Sequence, residues 1–152
     1  MASLQPRFGI GGQENDILDF IAKIKLTDND KTISIKTAEM EEKNVGIQML
    51  TVFIDELEEM FAPYIQQTSE LFISLIDYTS CDDIRNSVAN SLPTMLKCLK
   101  KTDPDVNNHN KYAEAYIQSL FQAISKERST DTMIYQVLSC KEIINTMGDF
   151  MS

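Results

Sequence analysis

Hydrophobic residues recur at intervals of three and four along most of the chain, beginning after residue 37. A period of about 3.6 residues is typical of amphipathic α-helices. It predicts consecutive helices over residues 39–58, 61–78, 83–101, 111–126 and 130–147, joined mostly by short loops. The apolar face of the first helix is predicted to hold Val45, Met49, Leu50, Phe53, Ile54 and Leu57. The fold class that follows is all-α.

The chain before residue 38 follows other patterns. Residues 1–12 contain a proline and three glycines, and we expect a flexible tail or an expression remnant there. Residues 16–24 place their apolar side chains on one helical stripe after Asn15, which can cap a helix. A short helix is therefore predicted at the start of the segment 13–37.

The rest of that segment has the two-residue period of a strand. Ile33 and Ile35 alternate with polar residues, and the preceding sequence Thr-Asp-Asn-Asp at 27–30 is a turn signal. Together with residues 23–26 before the turn, this pattern predicts a small β-hairpin that follows the short helix and ends at residue 37.

Residues that end or bend helices divide the later part of the chain. Pro63 lies where a first helical turn tolerates proline, whereas Pro93 falls inside a predicted helix and predicts a kink there. Residues 102–110 are polar and are predicted to form a loop. The sequence Ser-Thr-Asp at 129–131 is predicted to cap the last helix, and Gly148 to close it.

The helices also repeat. An offset of 42 residues aligns two segments, and it pairs Lys43 with Arg85, Asn44 with Asn86, Gln48 with Asn90, and Leu50 with Leu92. A period of about 40 to 47 residues is that of HEAT repeats, in which each repeat pairs an A helix with a B helix. Asp82-Asp83-Ile84-Arg85 also matches the turn between the two helices of such a repeat. The predicted architecture is an α-α superhelix of about two and a half HEAT repeats over 38–152, with a B helix at 38–58 and full repeats at 61–101 and 111–149.

Composition and reactive side chains give little support to catalysis. The net charge of -9 disfavours nucleic acid and anionic membranes as partners; it either favours basic partners or only aids solubility. Cys81, Cys98 and Cys140 are odd in number and widely spaced, which predicts buried thiols in a reducing compartment. The one histidine, His109, lies in a polar stretch without a partner motif, and we expect it at the surface. We therefore expect a protein that is not an enzyme and holds no cofactor or metal.

Residues 31–152 resemble a segment of the importin-β superfamily of nuclear transport receptors, in particular its importin-5 (karyopherin β3) branch. The resemblance lies in Ile35 to Lys43, Gln48-Met49-Leu50, Asp55-Glu56-Leu57, Phe61, Tyr64, Ile84-Arg85, Ser91-Leu92-Pro93 and Met147-Gly148-Asp149. It implies a piece from the middle of a longer HEAT-repeat solenoid. The implied function is nuclear import, in which the receptor binds cargo with basic nuclear-localisation signals, is regulated by RanGTP and contacts FG nucleoporins. The implied location is the cytoplasm, the nucleus and the nuclear pore, without membrane insertion or direct nucleic-acid binding.

In such receptors the B helices line the concave, cargo-binding surface, so their polar stripes are the candidate cargo contacts. Asn amides can hold an extended peptide backbone, and carboxylates can pair with its basic side chains. The alternative is that these residues only form the solvated face that every amphipathic helix has. A generic HEAT scaffold subunit of another complex is the alternative function. The candidate residues are Asn44, Gln48, Thr51, Asp55, Asn86, Asn90, Thr94, Tyr135, Ser139 and Glu142.

Overall fold

Helices make up most of the described part of the chain. The computed structural model describes the backbone of residues 10–26 and 33–151 and the side chains of residues 16–24 and 37–148. The elements are α1 (Ile10–Leu26), α2 (Ile33–Leu57), a 3-10 helix (Glu58–Tyr64), α3 (Ile65–Leu75), α4 (Asp82–Thr102), α5 (Val106–Lys126) and α6 (Thr130–Met151). Because none of these residues forms a strand, the all-α prediction is confirmed.

The predicted β-hairpin is wrong where its residues are described. Residues 23–26 end α1, and residues 33–37 already belong to α2. The predicted turn at 27–30 lies outside the described residues. Alternation over only four or five positions does not separate a strand from a helix that continues with a clearer period, and here the helix begins already at Ile33.

The chain's two ends also differ from the prediction. Residues 1–9 of the predicted tail lie outside the described part, but residues 10–12 belong to α1. At the other end, α6 continues through Gly148 to Met151, so Gly148 does not end the helix. The cap predicted at the start of α6 is confirmed, because the Ser129 hydroxyl accepts a hydrogen bond from the backbone N–H of Thr132 at 3.3 Å.

Helix α5 begins earlier than its apolar pattern predicts. Asp105 is its N-cap, and the carboxylate accepts a hydrogen bond from the backbone N–H of Asn107 at 3.0 Å. The polar residues after the cap were therefore mistaken for a loop. His109 consequently lies in the first turns of α5 and is 2% exposed, with Nε2 at 2.6 Å from the backbone oxygen of Asp103. The expectation of a surface histidine is wrong.

The segment predicted as one helix over 61–78 is divided in two. Residues 58–64 form the 3-10 helix, which contains Pro63, and α3 follows as a separate α-helix. Glu58, the first residue after α2, has a φ of 49°. This left-handed conformation is unfavourable for a residue with a side chain, and it breaks the helix between α2 and α3.

The helices pack in two layers with the apolar core between them. Helices α2, α4 and α6 lie side by side, with α4 in the middle and in contact with both neighbours. Helices α1, α3 and α5 form the other layer: α1 packs against α3, and a buried hydrogen bond of 2.6 Å between Ser69 and Tyr116 joins α3 to α5. Because each helix has one apolar face, two layers bury those faces against each other.

The predicted apolar face of α2 is buried only in part: Leu50 and Ile54 belong to the core, and Phe53 and Leu57 pack against it. Ile47, Leu50 and Ile54 are at most 2% exposed, whereas Val45 and Met49 are 59% and 45% exposed. The helix carries apolar residues on two faces, and the period alone does not say which face meets the core. In the rest of the molecule the core includes Phe61, Phe72, Ile84, Leu92, Met95, Leu96, Tyr116, Leu120 and Ile143.

Candidate functional site

A buried arginine joins the turn before α4 to the turn before α6. The guanidinium of Arg85 donates from Nε and Nη2 to the two carboxylate oxygens of Glu127, at 2.9 and 2.7 Å. It also donates from Nη1 to the backbone oxygens of Tyr78 and Thr79, and from Nη2 to the carboxylate of Asp82. Helix α4 begins without a side-chain cap, and Asp82 in its first turn binds this arginine. Every donor nitrogen of Arg85 is therefore engaged within the protein.

Glu127 is held as a carboxylate by the same cluster. Burial acts to raise the pKa of Glu127, but hydrogen bonds from Arg85, from the backbone N–H of Ser129 and from Gln136 together hold that pKa below its ordinary value. The bond to Glu127 likewise raises the pKa of Arg85. A paired carboxylate with this many donors is poorly suited to proton transfer, and we interpret the cluster as a structural tie.

The candidate residues on α2 bond mostly to one another and to α4. The Gln48 side-chain amide donates to Asn44 at 3.1 Å and to the hydroxyl of Ser87 on α4 at 2.6 Å. The Thr51 hydroxyl donates to the backbone oxygen of Gln48. These residues are half-buried. Asn44, Gln48 and Thr51 therefore line the seam between α2 and α4, with part of each side chain open to solvent.

The candidate residues on α4 and α6 differ in how far they are buried. Ser139 is 3% exposed, and its hydroxyl donates to the backbone oxygen of Ala89 at 2.7 Å, so it lies inside the seam between α4 and α6. Asn90 and Tyr135 are exposed. Asn86 is half-buried, and its side-chain oxygen has no hydrogen-bond partner among the described residues.

An open groove separates the end of α2 from α4. Its volume is about 250 Å³, and both acidic and basic side chains line it. Lys97 is one of them, and it pairs across the neighbouring seam with Glu142 at 3.3 Å. The charged and polar residues that line the groove are Asp55, Glu58, Glu59, Thr94, Lys97 and Lys101. The structure thus brings the candidates Asp55 and Thr94 together, and places Glu142 beside them through its pair with Lys97.

Two apolar stripes on the surface of this layer were not identified from the sequence. The α2 stripe consists of Val45, Met49 and Val52, which are 45–59% exposed. The α6 stripe consists of Ile134, Val137, Leu138 and Ile144, which are 48–55% exposed. On α2 the sequence signal is part of the predicted apolar face, since Val45 and Met49 belong to it and are nevertheless exposed. On α6 the signal is the run of apolar residues spaced three and four apart from Ile134.

The cysteines and other reactive groups are arranged as isolated side chains. All three cysteines are free; Cys98 and Cys140 are buried, and burial raises the pKa of both thiols, whereas Cys81 is half-exposed. Within the described residues, no group of three or more His, Cys, Asp or Glu side chains is placed to hold a metal ion. No described helix is both long enough and apolar enough to cross a membrane.

The fold and this surface define an all-α protein of two helical layers, with a polar groove and two apolar stripes on one layer. No protein-family model matches the chain. No solved structure matches it either.

Proposed function

We propose that the chain is part of a nuclear import receptor of the importin-β type and acts as a non-catalytic scaffold that binds basic nuclear-localisation signals. The proposal combines a HEAT-type architecture with a cargo surface on the layer formed by α2, α4 and α6. RanGTP would regulate the binding, and FG nucleoporins would be further partners. The support comes from the spacing of the bonds between helices and from the charges in the groove.

The hydrogen bonds between helices support the proposed HEAT-type architecture. Gln48 and Ser87 are 39 residues apart, Arg85 and Glu127 are 42 apart, and the hydrogen bond from Lys100 to the backbone oxygen of Thr146 spans 46. A chain of stacked repeats places equivalent neighbours one repeat apart, so bonds of nearly constant separation support repeats of the HEAT length.

The two aligned basic residues support the same repeat. Lys43 is 3% exposed and its ammonium lies 5.2 Å from the ring centroid of Tyr78, which precedes α4. Arg85, its partner at an offset of 42, is 7% exposed and binds Glu127, which precedes α6. Lys43 lies well inside α2 and Arg85 in the first turn of α4, and each base reaches the turn before the next layer helix. Equivalent roles at equivalent positions are what a repeat predicts.

The groove between α2 and α4 is the best-placed site for a basic peptide. Asp55, Glu58 and Glu59 form an exposed acidic wall, and Lys97 on the opposite wall pairs with Glu142. Carboxylates at the edge of a groove can pair with Lys or Arg side chains of an extended ligand. The exposed amide of Asn90 lies on α4, the helix that forms the other wall, and can bond to a peptide backbone.

Calorimetric titration with a Lys-rich import-signal peptide at two salt concentrations tests the proposal. We expect saturable binding that weakens at the higher salt, because the contacts are ionic. Changing Asp55→Asn and Glu59→Gln together should weaken the binding about tenfold, on the basis of about 0.7 kcal/mol for each exposed pair. Asp131→Asn, an exposed acidic residue in the first turn of α6, is the matched control and should bind as the parent chain does.

Two results would overturn the assignment. A folded chain without measurable affinity for the peptide would favour a generic HEAT scaffold. If the groove variant and the control variant lower the peptide affinity equally, the peptide binds outside the groove. Addition of Ran loaded with a GTP analogue that resists hydrolysis then separates a transport receptor from another peptide-binding scaffold, because only a transport receptor should release the peptide in response.

A further inference from the structure

The groove between the end of α2 and α4 has walls of opposite charge. Facing the acidic wall of Asp55, Glu58 and Glu59, α4 presents a basic wall that consists of the exposed side chains of Lys97 and Lys101. A peptide with only basic side chains is attracted by one wall and repelled by the other. The basic wall therefore restricts the ligand further than the acidic wall does by itself.

The two walls do not neutralise each other. Among the described residues, none of the ion pairs joins a carboxylate of the acidic wall to a lysine of the basic wall. Lys97 pairs instead with Glu142 on α6, and both side chains are about half exposed, at 54% and 52%. An exposed pair of this kind contributes little free energy, so a carboxylate of a ligand can replace Glu142. Both lysines can thus meet acidic side chains of a ligand.

The walls rise from a common floor that contains a buried thiol. Cys98 on α4 is 8% exposed, and its Sγ donates a hydrogen bond of 3.3 Å to the backbone oxygen of Glu58. Burial raises the pKa of this thiol, Glu59 raises it further, and Lys101 acts in the opposite direction. Charges from both walls therefore act on the same side chain, which places the walls close to each other across the groove.

The helices that carry the walls run in the same direction. The bond from Gln48 to Ser87 joins positions 39 residues apart, and the bond from Cys98 to Glu58 joins positions 40 apart. Because the separation stays nearly constant from one end of the contact to the other, α2 and α4 are parallel. A peptide that lies along the groove consequently follows both walls at once.

The charges along each wall have the spacing of an extended peptide. Lys97 and Lys101 are four residues apart on α4, a rise of about 6 Å. Asp55 and Glu59 are likewise four residues apart on the acidic wall. In an extended chain, successive side chains point to opposite sides, and those on one side recur about every 6.8 Å. Alternate residues of the peptide therefore meet opposite walls at nearly the spacing of the charges.

We propose that the groove selects a short extended peptide in which basic and acidic residues alternate. The bases pair with Asp55 and Glu59, and the acids pair with Lys97 and Lys101. The wall from Thr94 to Lys101 is about 10 Å long, which corresponds to about four residues of extended peptide. This inference rests on the proposed peptide-binding function of the groove, and it narrows the ligand from a basic segment to an alternating one.

Two peptides of equal composition test the order of the charges by calorimetric titration. One has a Lys-Glu-Lys-Glu core and the other a Lys-Lys-Glu-Glu core, so the net charge of -9 on the protein affects both equally. We expect the alternating peptide to bind about tenfold more tightly, because the isomer places one base against the basic wall and one acid against the acidic wall. Equal affinities would show that the groove does not read the order, and the proposal would be wrong.

Charge reversal on the basic wall should change the affinities of two peptides in opposite directions. Lys101→Glu should weaken binding of the alternating peptide about tenfold and strengthen binding of a Lys-rich peptide about threefold. Lys111→Glu, at an exposed lysine of α5 outside the groove, is the matched control, because it changes the net charge equally. Helical circular dichroism checks that both variants fold, and Lys101→Gln should give smaller changes in the same directions.

The same titrations separate this inference from the proposed function. If the Lys-rich peptide binds in the groove and Lys101→Glu has no more effect than Lys111→Glu, the basic wall is not a contact; the import-signal function then stands and the alternating ligand is excluded. If the alternating peptide binds and the Lys-rich peptide does not, the alternating ligand stands and a receptor for purely basic signals is excluded. A folded chain that binds neither peptide contradicts both.

Discussion

The hydroxyl of Ser139 donates a hydrogen bond of 2.7 Å to the backbone oxygen of Ala89, four residues before Pro93. In an uninterrupted α-helix the backbone N–H of residue 93 would donate to that oxygen, but proline has no N–H. Pro93 therefore removes a hydrogen-bond donor from α4, and Ser139 on the neighbouring helix α6 supplies a donor in its place. Ser139 was predicted to contact cargo; its position gives it a structural role in the seam between the two helices.

Ser139→Ala should lower the free energy of unfolding by about 1 to 2 kcal/mol, because it leaves a buried carbonyl oxygen without a donor. In a Pro93→Ala background the new N–H can bond to Ala89, so the same Ser139→Ala change should cost less. Urea unfolding of the parent, the two single variants and the double variant gives the coupling free energy between Ser139 and Pro93, which we expect to be about 1 kcal/mol. Additive effects would show that the two residues act separately.

The Arg85–Glu127 pair should make stability depend on pH. Folding lowers the pKa of Glu127 from an unfolded value of 4.5, so its contribution is fully present above that value and is lost as the pH falls through the folded pKa. Glu127→Gln should destabilise the protein at pH 7 by about 3 kcal/mol, because the guanidinium loses its buried partner. The difference between the parent and the variant should shrink below pH 4.5, as measured by urea unfolding at a series of pH values. An equal difference at every pH would contradict this account.

The buried pair Ser69–Tyr116 should couple α3 to α5. Tyr116→Phe removes the hydroxyl and leaves the Ser69 oxygen buried without this 2.6 Å bond, which should cost about 1 to 2 kcal/mol. Adding Ser69→Ala should then cost little more, because no polar atom of the pair remains. Burial raises the pKa of the Tyr116 phenol well above its ordinary value, so its ultraviolet titration in the folded protein should begin only at a pH where the protein unfolds.

The left-handed backbone at Glu58 should favour glycine. With a φ of 49°, the side chain is strained at this position, and glycine removes that strain. Glu59→Gly, one residue later in the 3-10 helix, is the matched control, because it adds flexibility without relieving strain. We expect Glu58→Gly to be more stable than Glu59→Gly by about 1 kcal/mol in thermal unfolding. The reverse order would show that the side chain of Glu58 contributes more than the strain costs.

Much of the helical content follows from the sequence, because long stretches with a 3.6-residue period have few alternatives. The errors lie where local and tertiary effects compete. Short alternation around Ile33 was overridden by continuation of α2, and the polar residues after Asp105 concealed a helix start. The first turns of the predicted α2 face were misassigned because Val45 and Ile47 are equally apolar, and only the packing of α1 and α4 decides which of them is buried.

The candidate site was less predictable for a related reason. The spacing of Gln48 and Ser139 correctly indicates polar positions on layer helices, but the sequence does not show that a neighbouring helix uses them. Arg85 pairs with Asp82, three residues before it, which a sequence can indicate, but its second partner Glu127 lies 42 residues away and is set by how the helices pack. As cargo contacts, Asp55, Asn90 and the other exposed candidates remain predictions.

The bonds between neighbouring layer helices join residues 39 to 50 positions apart, and this spacing also bears on how the protein is made. Gln48 meets Ser87 after 39 residues and Ser139 meets Ala89 after 50. A ribosome adds about 5 to 20 residues per second, so each helix waits only some seconds for its partner to emerge. Helix α2 can therefore dock on α4 while α6 is still being translated, and the nascent chain exposes the apolar face of only its most recent helices to chaperones and proteases.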